Sequence, residues 1–71
     1  MESLYGSRTL TAKERIIIKL VAEGLKNKEI AHKVGLQFDS LRNSLRVIFD
    51  KTGMGNRLEL ALWAMSREKN Q

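Results

Sequence analysis

The stretch that decides the fold is Asn27-Lys28-Glu29-Ile30-Ala31, followed after Gly35 by Ser40-Leu41-Arg42-Asn43. Asn27 is a good helix N-cap and Glu29 sits favourably in a first turn. Ile30, Ala31 and Val34 recur at helical spacing and predict an inward face. Ala31 is small enough to let another helix approach closely. Gly35 permits the left-handed residue that a tight turn needs. Beyond that turn the chain reads as a second helix with a basic outer face. A short helix, a tight turn and a basic helix are the layout of a helix-turn-helix, whose second helix enters the major groove of DNA.

Working outward, the basic helix is predicted over 38–52. Phe38, Leu41, Leu45, Ile48 and Thr52 form its inward stripe, with Arg42, Asn43 and Arg46 opposite. Gly53 stops it. Upstream, Thr11 and Glu14 spell the T-x-x-E capping box, so a first helix is predicted over 11–23, with Gly24 just beyond its end. Ile17, Ile18, Leu20 and Val21 supply its core face. Downstream, Asn56 and Glu59 mimic a capping box and open a fourth helix over 56–66. Its predicted inward stripe is Leu58, Ala61, Leu62 and Met65, which leaves Leu60, Trp63 and Arg67 on other faces. The expected fold is an all-α four-helix bundle over 10–66. Residues 1–9 read as a mobile arm, in which Leu4 and Tyr5 can pack back on the domain, and 67–71 as a frayed tail.

Bulk properties narrow the function. Seventy-one residues allow one small core. Thirteen Lys plus Arg against 8 Asp plus Glu give a net charge of +5, which suits an anionic partner such as nucleic acid. With no cysteine and the single His32, neither a disulfide framework nor a metal site is expected, and nothing suggests a cofactor. No apolar run approaches the ~20 residues of a membrane span, and the N-terminus has no signal-peptide core, so cytoplasmic residence is expected. No spacing puts a base beside a nucleophile, so no enzyme is expected.

The assembled residues resemble the LuxR/FixJ-type (GerE-like) DNA-binding domain of bacterial transcription regulators. The resemblance is carried by Leu10-Thr11, Glu14, Ile17-Ile18, Leu20, Ala22 and Gly24, then Asn27 to Ala31. It continues through Ser40-Leu41-Arg42, Leu45, Ile48, Lys51, Gly53-Met54, Asn56-Arg57, Glu59-Leu60 and Ala64. The chain departs from the family pattern at Gln37 and Ser44, where Ser and His are usual, at Thr52, usually aliphatic, and at Ile16, usually Glu. Most members carry a receiver or ligand-binding domain ahead of this one. The chain therefore reads as a free-standing regulator or as part of a longer one.

The resemblance implies a sequence-specific, double-stranded DNA-binding regulator of transcription residing at the bacterial nucleoid. Arg42, Asn43 and Arg46 would face base edges, since Arg suits guanine and Asn suits adenine. A solvated polar face is the plainer reading of the same residues. Asn27 and Lys28, at a helix N-terminus, suit a DNA phosphate or serve simple capping. Ser40, Ser44, Lys51 and Arg57 are further phosphate candidates. Helix four pairs with its copy in the family, which implies a weak homodimer strengthened on DNA and places Leu60, Trp63 and Arg67 at the contact. Trp63 fits a packed core equally well. The alternative is an interaction protein that pairs through helix four with a larger LuxR-type regulator and modulates it.

Overall fold

The computed structural model describes residues 9–69, with side chains through Arg67. Of the arm expected over 1–9, Met1 to Arg8 lie outside the described residues, as do the last residues, Asn70 and Gln71. Four helices follow in order: α1 (Ala12–Ala22), α2 (Asn27–Val34), α3 (Phe38–Thr52) and α4 (Arg57–Lys69). The described residues contain no strand, as an all-α fold requires.

Each boundary has a local cause. At the start of α1, the Thr11 N–H donates to Glu14 Oε1 at 2.8 Å, and the Glu14 N–H donates to Thr11 Oγ1 at 3.0 Å. Both halves of the capping box are thus formed. The helix closes through two backbone bonds, Leu25 N–H to Leu20 O and Gly24 N–H to Val21 O. The end of α2 repeats this pattern with Leu36 N–H to Ala31 O and Gly35 N–H to His32 O. Gly35 has φ 72° and a Cβ there would meet nothing within 4 Å, so the turn demands glycine for its backbone and not for space.

The N-cap of α2 is Lys26 rather than Asn27. Glu29, in the first turn as expected, reaches back and accepts from the Lys26 N–H at 2.8 Å. Asn27 therefore enters the first turn with its side chain free for another task. Gln37 caps α3 with no side-chain hydrogen bond, and neither Asp39 nor Ser40 replaces it as the cap. At α4, Asn56 Oδ1 accepts from the Glu59 N–H, while Glu59 Oε1 accepts from the Gly55 N–H. Helix α4 runs on to Lys69, beyond its expected end at 66.

The core is a single cluster. Ile17, Ile18 and Val21 of α1 meet Ile30 and Ala31 of α2, Leu41, Leu45 and Ile48 of α3, and Leu60 of α4. Leu20, expected in the core, packs against it while half-buried. Thr52 occupies an aliphatic position in the buried stripe. Its hydroxyl donates to Ile48 O at 2.9 Å and accepts from the Met54 N–H at 3.3 Å, so the polar atom is satisfied inside.

Two expectations about faces fail. Helix α4 is turned relative to its predicted stripe: Leu60 is fully buried, while Leu58, Leu62 and Met65 are 69%, 55% and 47% exposed. Leu60 is thereby withdrawn from the dimer contact assigned to it. The helix is apolar almost all round, from Leu58 through Met65, so periodicity does not single out one face. The face that packs carries Leu60 with Ala61 and Ala64, whose small side chains let α4 lie close to α1. Phe38, placed at the head of the α3 stripe, is 48% exposed. It is the first residue of α3, one turn short of Leu41, where the core begins.

Leu60→Ala should therefore destabilise the domain by about 2–5 kcal/mol, whereas Leu62→Ala should stay within about 0.5 kcal/mol of the parent. Chemical denaturation of the two variants checks this. Equal losses would mean that α4 packs through its other face.

Candidate nucleic-acid interface

The turn between α2 and α3 fixes which side of α3 is buried, and with it which side is offered to solvent. With Leu41, Leu45 and Ile48 inside, Arg42, Asn43 and Arg46 are exposed. Phe38, Arg42 and Arg46 follow at i, i+4 and i+8, so they share one helix face. The Arg42 guanidinium lies over the Phe38 ring, 6.0 Å from its centroid. Ser40 is exposed on the flank of α3 next to Asn43, away from that face, and Ser44 is half-buried.

An open cleft of about 460 Å³ lies between the start of α2, the first residue of α3 and the start of α4. Lys26, Asn27, Lys28, Phe38 and Arg57 line it. The first backbone N–H groups of a helix have no acceptor within it and carry the positive end of its dipole. The cleft thus combines a helix N-terminus with three cationic side chains.

Arg57 does more than add charge. Its Nη1 donates to Asn27 Oδ1 at 2.6 Å and its Nη2 donates to Leu25 O at 2.7 Å. One planar guanidinium therefore ties α4 to both the α1–α2 turn and the start of α2. With Oδ1 occupied by a donor, the Asn27 carboxamide keeps its Nδ2 hydrogens for an acceptor outside the domain. The remaining side of the cleft is held by Lys28, which is exposed.

Lys51 has a different job from the phosphate contact expected of it. Its Nζ lies 2.8 Å from Glu14 Oε1 and donates to Thr9 O at 3.2 Å, with only 12% of the lysine side chain and 13% of the glutamate exposed. The pair fastens the last turn of α3 to the cap of α1, and the ammonium complements the C-terminal end of the α3 dipole. Burial pushes the Glu14 carboxyl up, but the Lys51 charge and the Thr11 hydrogen bonds outweigh it and hold its pKa below the ordinary value. On α4, Trp63 is half-buried against the core and Arg67 stacks over its ring at 4.7 Å.

Comparison with known proteins agrees with this architecture. The profile of bacterial regulatory proteins of the luxR family, GerE, matches residues 8–64. The chain belongs to the LuxR family. It is 35% identical to the transcriptional regulatory protein DesR of Bacillus subtilis over 72 residues, covering 100% of this chain and 34% of DesR. It is 47% identical to the monoamine regulon transcriptional regulator of Klebsiella aerogenes over 51 residues, 72% of this chain and 22% of that protein. YdfI of Bacillus subtilis, another transcriptional regulatory protein, is 38% identical over 67 residues, 94% of this chain and 32% of YdfI. The chain spans about a third or less of the length of these LuxR-family relatives. As a member of the family it is a helix-turn-helix domain of the DNA-binding, transcription-regulating kind and not an enzyme. Among the described residues no helix is long and apolar enough to cross a membrane.

The two clamps escaped the sequence reading. Glu14 and Lys51 lie 37 positions apart and Asn27 and Arg57 lie 30 apart, separations that no helical period relates.

The Glu14–Lys51 pair sets a pH signature. A depressed folded pKa contributes stability above the unfolded carboxylate value, near 4.3, and that stability is lost as pH falls through the folded value. The melting-temperature gap between the parent and Glu14→Gln should be widest near neutrality and shrink from pH 5 to pH 3. A gap independent of pH would show that the carboxylate charge does not hold the two helices together.

Proposed function

We propose that the chain is a sequence-specific double-stranded DNA-binding regulator that lays α3 in the major groove. The carrying observation is the exposed Arg42, Asn43 and Arg46 face of α3 beside the cationic N-terminus of α2. Arg42 and Arg46 offer bidentate donors to guanine O6 and N7, and Asn43 offers the donor–acceptor pair that adenine requires. Asn27, with its carboxamide steadied by Arg57, and Lys28 take phosphates at the groove edge. Ser40 adds a hydroxyl on the flank next to Asn43, with Ser44 less accessible. Arg57 acts mainly by holding Asn27, its guanidinium being committed to two internal acceptors.

The chain pairs with a second copy across the exposed α4 stripe of Leu58, Leu62 and Met65, with the stacked Trp63 and Arg67 on another face of the same helix. One short helix covers less area than a stable dimer interface needs. A monomer or weak dimer is therefore expected in free solution and a dimer on DNA, where two half-sites match the two-fold axis. The same stripe supports the second reading, in which a larger LuxR-type regulator supplies the partner helix. Sedimentation with a palindromic duplex separates the two. Two chains per duplex at saturation support self-pairing; one chain per duplex, with unchanged Trp63 fluorescence, counts against it.

Arg42→Ala and Arg46→Ala should each weaken specific binding by about 1–3 kcal/mol and relax preference at one base position. A dimer neutralising roughly 6 phosphates should give a log–log salt slope near −5. Variants that keep full affinity and an unchanged footprint would remove α3 from the groove, and a flat salt dependence would remove the phosphate contacts.

A further inference from the structure

Phe38 is an aromatic side chain exposed on a face otherwise made for polar contact. Its position on α3 accounts for the exposure without assigning it a place in the core. It is the first residue of the helix, and the N-terminal residues of a recognition helix are those that reach base edges. It stands in line with Arg42 and Arg46 at i, i+4 and i+8. One side of the ring carries the Arg42 guanidinium, and the ring also forms a wall of the cleft that holds Asn27, Lys28 and Arg57. Phe38 thus sits between the side chains suited to phosphate and the first side chain suited to a base.

The ring has no donor or acceptor, so it cannot read the hydrogen-bonding pattern of a base pair. The major-groove edges of the four base pairs carry one apolar group, the C5-methyl of thymine. Bases paired in a duplex offer the groove their edges and not their faces, so the ring meets an edge rather than a stacked base. We propose that Phe38 is a specificity residue that packs on a thymine C5-methyl next to the base pair read by Arg42. This rests on α3 lying in the major groove as proposed above. The contact removes both the methyl and the exposed ring from water, which favours thymine over cytosine at that position.

The test measures binding of the 71-residue chain to the duplex recovered by repeated selection from a random library. Each thymine is replaced in turn by deoxyuridine, which deletes the methyl alone. One thymine per half-site should be sensitive, with affinity falling about threefold to fivefold on its replacement, the value of one buried methyl group. Phe38→Ala should weaken binding to the thymine duplex by at least as much and be indifferent to that replacement. Phe38→Leu, which keeps an apolar contact, should retain the sensitivity. A parent with no sensitive thymine overturns the proposal, as does Phe38→Ala with undiminished sensitivity. Arg42→Ala separates this from the underlying reading. If Arg42→Ala weakens binding and the deoxyuridine series is flat, only the thymine contact fails. If Arg42→Ala and Phe38→Ala both bind as the parent does, or selection recovers no preferred duplex, groove binding by α3 fails as well. Matching thermal melts of the variants show that the domain itself is intact.

Discussion

Five fully buried side chains, Ile17, Ile30, Leu41, Ile48 and Leu60, meet at the centre of the domain, and between them they come from all four helices. A chain this short has one such meeting point, so every other feature is placed by it. Ile30 sets the roll of α2 and Leu41 with Ile48 sets that of α3. Once those are inside, Arg42, Asn43 and Arg46 have only solvent to face. The basic surface is therefore a consequence of packing: the arginines are aimed by the residues opposite them. Loss of a methyl group from the centre would alter the orientation of the outer face as well as the stability.

Charges divide along the same lines. Lys51 is almost enclosed and holds Glu14, and Arg57 holds Asn27 and the Leu25 carbonyl. Both are cations that composition alone counts toward a nucleic-acid footprint. In the folded chain their bonds are internal, and they stiffen the two places where α3 and α4 join the rest. Lys28, Arg42 and Arg46 remain exposed. A net charge of +5 thus overstates what is free to meet a phosphate. The partly buried Lys51–Glu14 clamp is worth more than an exposed ion pair, whose strength is lost to water and side-chain entropy, whereas the bonds of Arg57 lie exposed.

Much of the fold was legible because α1 and the buried part of α3 have clean helical patterns and punctuation, Thr11 with Glu14 at one end and Gly24, Gly35 and Gly53 at the breaks. Local chemistry dictates those features, so local reading finds them. Helix α4 was misoriented because apolar residues surround it, and the choice among faces is made by fit: Leu60, Ala61 and Ala64 let it approach α1, while Leu58 and Leu62 would hold it away. The face of α3 carrying Arg42, Asn43 and Arg46 could be read from the buried stripe opposite. The occupation of Lys51 and the bracing of Asn27 could not, because each depends on a partner brought near only by the folded chain. Phe38 was assigned to the stripe by spacing alone, which does not register that the helix starts there, beyond the reach of the core.

The departures from the family pattern sort by whether the side chain touches that core. Thr52 does, and a hydroxyl in an apolar stripe would be costly if left alone. It is accommodated because a threonine late in a helix can bond back to the carbonyl four residues earlier, and because Met54 turns its N–H onto the same oxygen. Gln37 and Ile16 lie outside, with Ile16 half exposed on α1 and Gln37 forming a cap that contributes no side-chain bond. Their replacement leaves the central five residues undisturbed. The same separation applies to Phe38. At the first turn of α3, short of Leu41, an exposed aromatic leaves the roll of the helix unaltered. The chain can thus vary what it presents at the front of α3 while keeping the packing that aims Arg42 and Arg46 behind it.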